Sequence, residues 1–239
     1  PDIVGLSTGC ATGALIAIIV LGSSPAVTGL GALVGGLVSG AAILACAGGM
    51  RVTGMRVVLV GIGCSAALRA INSLLIVKAP LEAAQRAQLW SAGSFSGVTF
   101  ARLTPLLIVL GVVACACVAA AVPLGLVAMG DDVATGLGVR VRRIRLLSIA
   151  VAILLVACAT AVAGPVAFVA LSAPHIAHRL CGGGGVGFAS SALVGALLVL
   201  ASDVCAQRLI APAELPVGVV TGVVGGLYLL WLLIREVRS

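Results

Sequence analysis

Few residues in this chain could do chemistry, and their spacing limits what that chemistry is. His175 and His178 lie three apart, so on a helix they share a face and could ligate a metal. No carboxylate or thiolate pattern accompanies them, so a metal site is not expected. Cys115 and Cys117 are two apart and point to different sides of a helix. The other cysteines (Cys10, Cys46, Cys64, Cys158, Cys181 and Cys205) fall mostly in apolar runs, where cysteine packs as a small polarizable residue. The glycine run 182–185 is not followed by Gly-Lys-Ser/Thr, and the chain has no Walker motif, so nucleotide chemistry would belong to a partner. With no nucleophile–base pair either, the expectation is no catalytic residue, no cofactor and no enzyme. What remains is charge set among apolar residues. Arg69 and Asn72 share one face of a hydrophobic run, and residues 129–145 (MGDDVATGLGVRVRRIR) carry Asp131, Asp132 and the arginines 140, 142, 143 and 145.

The elements that position these groups follow from composition. Of 239 residues 62% are hydrophobic and 9% charged, and the mean hydropathy is +1.30. A soluble domain carries roughly a quarter charged residues. The excess is Ala, Val, Leu, Ile and Gly without aromatic girdles or strict alternation, which excludes a β-barrel reading. The fold class expected is all-α, a polytopic transmembrane helix bundle. A span needs about 20 apolar residues. Eight segments qualify, at 4–21, 26–47, 57–77, 103–122, 144–163, 165–180, 187–208 and 216–234, the sixth being short and opening on Pro165. Residues 78–102, mixed in character and containing Trp90, read as an interfacial helix and loop.

The net charge of +7 therefore points to membrane topology, and no nucleic-acid partner is expected. Arg51, Arg56, Arg140, Arg142, Arg143, Arg145, Arg179, Arg235 and Arg238 fall on one face, against Lys78, Arg86, Arg102 and Arg208 on the other. The excess places the first face, and both chain ends, in the cytoplasm. No signal peptide is read at the start, PDIVGLSTG, which has neither an initiator Met nor a basic region.

Burying the six charges of 129–145 would cost roughly 15–20 kcal/mol at about 2.5–3.5 kcal/mol each, so the segment lies outside the hydrocarbon. Its acids come first and its arginines last, which complements a helix dipole. Val133, Ala134, Leu137 and Val141 recur at helical spacing and predict a short amphipathic helix. A loop that only enforces topology and a helix that docks a cytosolic protein are both compatible with this pattern.

Several longer stretches resemble the FecCD-type permeases, the membrane subunits of bacterial ABC importers for iron–siderophore complexes, haem and vitamin B12. They are PDIVGLSTGCATGA at 1–14, LWSAGSFSG at 89–97, GDDVATGLGV at 130–139, GPVAFVALSAPHIAHRL at 164–180 and SDVCAQRLIAPAELPVGVVTGVVGGLYLLWLLIR at 202–235. The resemblance implies a single permease domain over 1–239. It begins at the third helix of a ten-helix family fold, so the first two helices are expected to be absent from this chain.

The resemblance also implies roles. Residues 129–143 correspond to the cytoplasmic coupling segment, with short helices that sit in a cleft of an ATPase subunit. Asp131, Asp132, Ala134, Leu137 and Gly138 would make that contact, Gly138 allowing a tight turn between the two short helices. By similarity to the vitamin B12 permease around DVCAQR, Arg208 would pair with a periplasmic or lipid-anchored substrate-binding protein. Glu214 is a second candidate for that docking contact, and with Pro216 would shape the turn into the last helix. RVTGMR at 51–56 matches a loop that narrows the cytoplasmic exit, making Thr53, Gly54 and Met55 gate candidates. Arg69 and Asn72 are candidate pathway residues that would attract an anionic ferric siderophore; outward snorkelling is the simpler account of Arg69. The partners implied are an ABC ATPase, a binding protein, a second permease subunit (homodimer or paralogue) and membrane lipid. The rival function is an ion-gradient-driven secondary transporter, for which Asp203 is the one carboxylate near a span.

Overall fold

The computed structural model describes residues 5–22, 24–48, 54–95, 98–181, 187–208 and 215–237. Among these there are ten α-helices and no strand. In chain order they are α1 (Leu6–Val20), α2 (Pro25–Cys46), α3 (Gly54–Lys78), α4 (Leu81–Ser91), α5 (Phe100–Ala128), α6 (Asp131–Gly136), α7 (Val141–Ala163), α8 (Val169–Leu180), α9 (Phe188–Arg208) and α10 (Val217–Val237). The chain forms two compact units, one of residues 1–88 and 98–162, the other of residues 89–97 and 163–239.

In the first unit α1, α2 and α3 pack together through small residues. With lipid as solvent there is no hydrophobic gain in bringing apolar helices together, so close backbone approach supplies the attraction. Gly9 and Gly13 of α1 face Gly31 and Gly35 of α2 so closely that a Cβ on Gly31 would come 2.6 Å from the Gly13 carbonyl oxygen. A Cβ on Gly13 would overlap the Gly31 carbonyl. Gly36 of α2 sits between α1 and α7, since a Cβ there would run into the Cys10 sulfur and lie 3.0 Å from that of Ala157, and one on Gly40 would run into Ile153 of α7. Cys10 and Leu15 are the largest wholly enclosed side chains in this packing. Large aliphatic side chains point outward instead: Leu59 is 72% exposed and Ile108 62%. Such surfaces suit lipid and not water.

Among the described residues four helices are long and apolar enough to cross a membrane, namely Pro25–Cys46, Met55–Lys78, Val141–Ala163 and Phe188–Arg208. The two halves of α5 (Leu103–Val118 and Ala120–Ala128, bent by 56°) make a fifth if counted as one span, while Leu6–Val20 and Val217–Leu232 are shorter apolar helices. The bend has a covalent cause: Pro123 donates no hydrogen bond to the carbonyl four residues back, at position 119, and its ring crowds that carbonyl. The eight spans read from the sequence are thus not eight full-length helices. The sixth, 165–180, is the clearest departure, because only Val169–Leu180 is helical. Twelve residues reach about 18 Å, short of a core of about 30 Å.

The second unit explains that shortening. Residues 164–168 leave the helical conformation and run beside the loop that follows α4. Ser94 donates its backbone N–H to the Ala163 carbonyl at 2.9 Å, and Gly93 accepts from Gly218 at 3.4 Å. Phe168, the residue before α8, has φ 62°, a left-handed conformation that a bulky side chain rarely takes. Non-helical backbone survives in an apolar molecule only where protein groups satisfy and enclose it. Ala206, Val217 and Val220 form a small core here, with Phe95 and Leu215 packed against it. The predicted helix and loop of 78–102 correspond to α4 and the turn at 92–95.

Candidate functional site

The polar stretch after α5 folds as one compact device. Gly130, with φ 124° and ψ 148°, turns the chain into α6, a combination open essentially to glycine alone. Asp131 and Asp132 occupy the first turn, where acids complement the unpaired N–H groups. Thr135 donates from Oγ1 to the Asp131 carbonyl at 2.7 Å.

Helix α6 ends as tightly as it begins. Val139 N–H bonds the Ala134 carbonyl at 2.9 Å and Gly138 N–H bonds the Thr135 carbonyl at 3.0 Å. With Gly138 at φ 80°, this is the Schellman pattern that closes a helix on a left-handed residue. Ala134 is wholly buried, and Arg145 of α7 reaches back with Nη2 3.0 Å from Asp131 Oδ1 and 3.2 Å from Oδ2. Both partners of that ion pair are largely in solvent, so it orients α6 more than it stabilises the fold.

What the device presents outward is Asp132, Val133, Leu137 and Met129, the last two 63% and 72% exposed. The sequence reading expected Gly138 between two short helices and Val141 on the apolar stripe. The structure has one short helix, because the φ of Gly138 breaks the register and the chain passes directly into the 23-residue α7, which begins at Val141.

The other candidates lie elsewhere on the chain. Arg208 ends α9 and is exposed; Gln207 beside it donates from Nε2 to Asp203 Oδ2 at 2.9 Å. Glu214 is outside the described residues, and Pro216 directly precedes α10. Thr53 is likewise outside the described residues, Gly54 is the first residue of α3, and Met55 is 81% exposed. Arg69 and Asn72 share α3 but not an environment. Arg69 is exposed, whereas Asn72 is half-buried and its Oδ1 is enclosed without a protein hydrogen-bond partner.

His175 and His178 are both exposed on α8, and no three His, Cys, Asp or Glu gather among the described residues. Arg179 of the same helix lies 5.4 Å from the centre of the Trp231 ring of α10, within cation–π range. The sequence reading missed the left-handed Phe168 and the glycine contacts of α1 and α2. The spacing of Gly9 with Gly13, and of Gly31 with Gly35, was the signal available for the latter.

Relatives give the device a context. The ferric enterobactin transport system permease protein FepG of Escherichia coli (strain K12) is 45% identical over 241 residues, covering 100% of this chain and 72% of that one. The Fe(3+)-citrate import system permease protein YfmE of Bacillus subtilis (strain 168) is 32% identical over 244 residues, with the same coverage of 100% and 72%. A solved metal-chelate type ABC transporter in an inward-facing conformation superposes with a TM-score of 0.88 at 26% identity, covering 99% of this chain and 76% of the other. The profile of the FecCD transport family matches residues 1–235. With apolar helices of membrane-crossing length and a match over nearly its whole length, this multi-pass membrane chain belongs to the FecCD transport family.

Proposed function

We propose that this chain is the membrane-spanning permease subunit of an ABC importer that moves a ferric chelate into the cytoplasm by alternating access. Family membership carries the permease assignment. Both named relatives are permeases for iron(III) held in an organic chelate. A ferric siderophore is the cargo that fits this pattern best, with haem and vitamin B12 as the wider class.

The observation that carries the energy coupling is the geometry of 129–139. A six-residue helix is held between two glycines in conformations that other residues resist, with a buried alanine beneath and an exposed acidic and apolar surface above. A loop needed only for topology has no use for such definition. Residues 129–143 are the coupling segment in this reading: Asp132 and Leu137 face a cleft of a separate ATPase subunit, and Asp131, Ala134 and Gly138 hold the helix in shape. The device and both chain ends lie on the cytoplasmic side, as the arginine bias favours.

Arg208 and Glu214 serve the substrate-binding protein on the opposite face, residues 53–55 line the inner exit, and Arg69 with Asn72 border the pathway. The whole chain acts as one permease domain beside a second permease subunit, homologous or identical. An ion-gradient-driven carrier is disfavoured, because Asp203, the carboxylate that reading requires, bonds Gln207 within α9 and the structural neighbour is an ABC transporter.

The test is reconstitution with a cognate ATPase and binding protein in proteoliposomes. Uptake of the ferric chelate should require ATP hydrolysis, and the loaded binding protein should stimulate that hydrolysis. Uptake that persists without ATP and stops when the proton gradient is collapsed would refute the assignment.

A further inference from the structure

Helices α8, α9 and α10 of the second unit line a half-open cavity of about 100 Å³. Its walls are mostly aliphatic, from residues such as Ile176 and Leu198, yet Ser172, Ser202, Thr221 and Tyr228 all line it. The first three are buried, and the Tyr228 hydroxyl oxygen is fully enclosed with no protein group to bond.

The hydroxyls are not equivalent. Ser172 spends its proton on the Phe168 carbonyl at 2.9 Å, and Thr221 spends its proton on the Gly218 carbonyl at 3.1 Å. Their oxygens therefore offer only lone pairs to the cavity, while Tyr228 can both donate and accept. A buried phenol left without a partner is unfavourable. Ser202, like Tyr228, can donate or accept, so the four hydroxyls suit a ligand that gives protons to the Ser172 and Thr221 oxygens and receives from the other two. That ligand is water, which needs two to four polar partners and about 10–15 Å³ of cavity.

We infer that the seam between α8, α9 and α10 holds ordered water that bonds the Tyr228 hydroxyl to the Ser and Thr oxygens. A wall of purely aliphatic residues would leave a cavity of this size dry; the convergence of four hydroxyls from three helices is what makes this one wet. Water also re-forms its bonds when one helix shifts against another, so α8 can move past α9 and α10 without orphaning a hydroxyl.

Tyr228 is the chain's single tyrosine, so a ¹³C-tyrosine label reports this site alone. The assembled permease in lipid bilayers is measured by water-edited solid-state NMR. Magnetisation from water should reach the Tyr228 ring carbon bearing the hydroxyl at mixing times that leave buried aliphatic carbons silent. The Ser202→Ala and Thr221→Val variants should each slow that transfer. The inference fails if the wild-type ring stays silent, or if transfer is the same when both hydroxyls are removed. It fails equally if the Tyr228 resonance follows replacement of sodium by choline, which would assign the seam to a cation.

Discussion

The turn at Gly138 offers the most discriminating perturbation. An alanine there meets no atom within 4 Å, so the substitution adds no clash and tests the backbone alone. Forcing an L-residue to φ 80° costs about 1–2 kcal/mol. The same sum spread over the closing hydrogen bonds lowers the population of the closed α6 by a factor of about 5–30. Gly136, two residues earlier, is the internal control. It lies within α6, also has open space around a Cβ, and has no positive φ. Alanine there should favour the helix by up to about 1 kcal/mol.

If α6 must be preformed to engage the ATPase, Gly138→Ala should reduce binding-protein-stimulated ATP hydrolysis and uptake several-fold, at unchanged abundance in the membrane. Gly136→Ala should leave both at or above the wild-type level. Gly138→Asn should fall between, because asparagine tolerates the left-handed region better than alanine. The assay is ATP turnover in proteoliposomes, with cargo uptake measured in parallel. Equal coupling in Gly138→Ala and Gly136→Ala would refute the idea that the shape of this segment, as distinct from its charge, transmits the stroke.

Three further outcomes follow. Gly13→Leu should drive a side chain into the Gly31 carbonyl and separate α1 from α2; overpacking of this kind costs typically about 1–3 kcal/mol, read as lost yield of monodisperse protein and a lower melting temperature in detergent. Arg208→Glu should weaken stimulation by the binding protein, most strongly at low ionic strength, while basal ATP turnover stays unchanged. Arg69→Gln should slow uptake of an anionic ferric chelate more than that of a neutral one without lowering protein abundance; equal uptake of both would remove Arg69 from the pathway.

Much of the bundle was legible in the sequence, because apolar run length maps directly onto helices in lipid. The segments 26–47 and 187–208 reappear almost residue for residue as α2 and α9. The 165–180 segment misled because hydropathy does not register backbone conformation. Gly164, Pro165 and Phe168 are as compatible with an apolar run as with a break in one, and only the loop at 92–95 packed against them decides it. Pro123 announced a bend in α5, whereas the span count used only its hydropathy. In the segment 129–145, the order of acids and arginines was readable, and the resemblance pointed to a turn at Gly138. The extent of the helix was not readable, since Val141 continues the apolar periodicity across a turn that periodicity cannot see.

The two glycine faces of α2 have a mechanical consequence. Side chains between helices act as cushions, because they can change rotamer and absorb a small displacement before the backbone feels it. On the side toward α1 only small groups intervene near the glycines, among them Ala17, Ser39 and the Cys10 sulfur, and on the side toward α7 the methyl group of Ala157 and the side chain of Ile153. A displacement of α1 therefore meets little side-chain slack before it reaches α2.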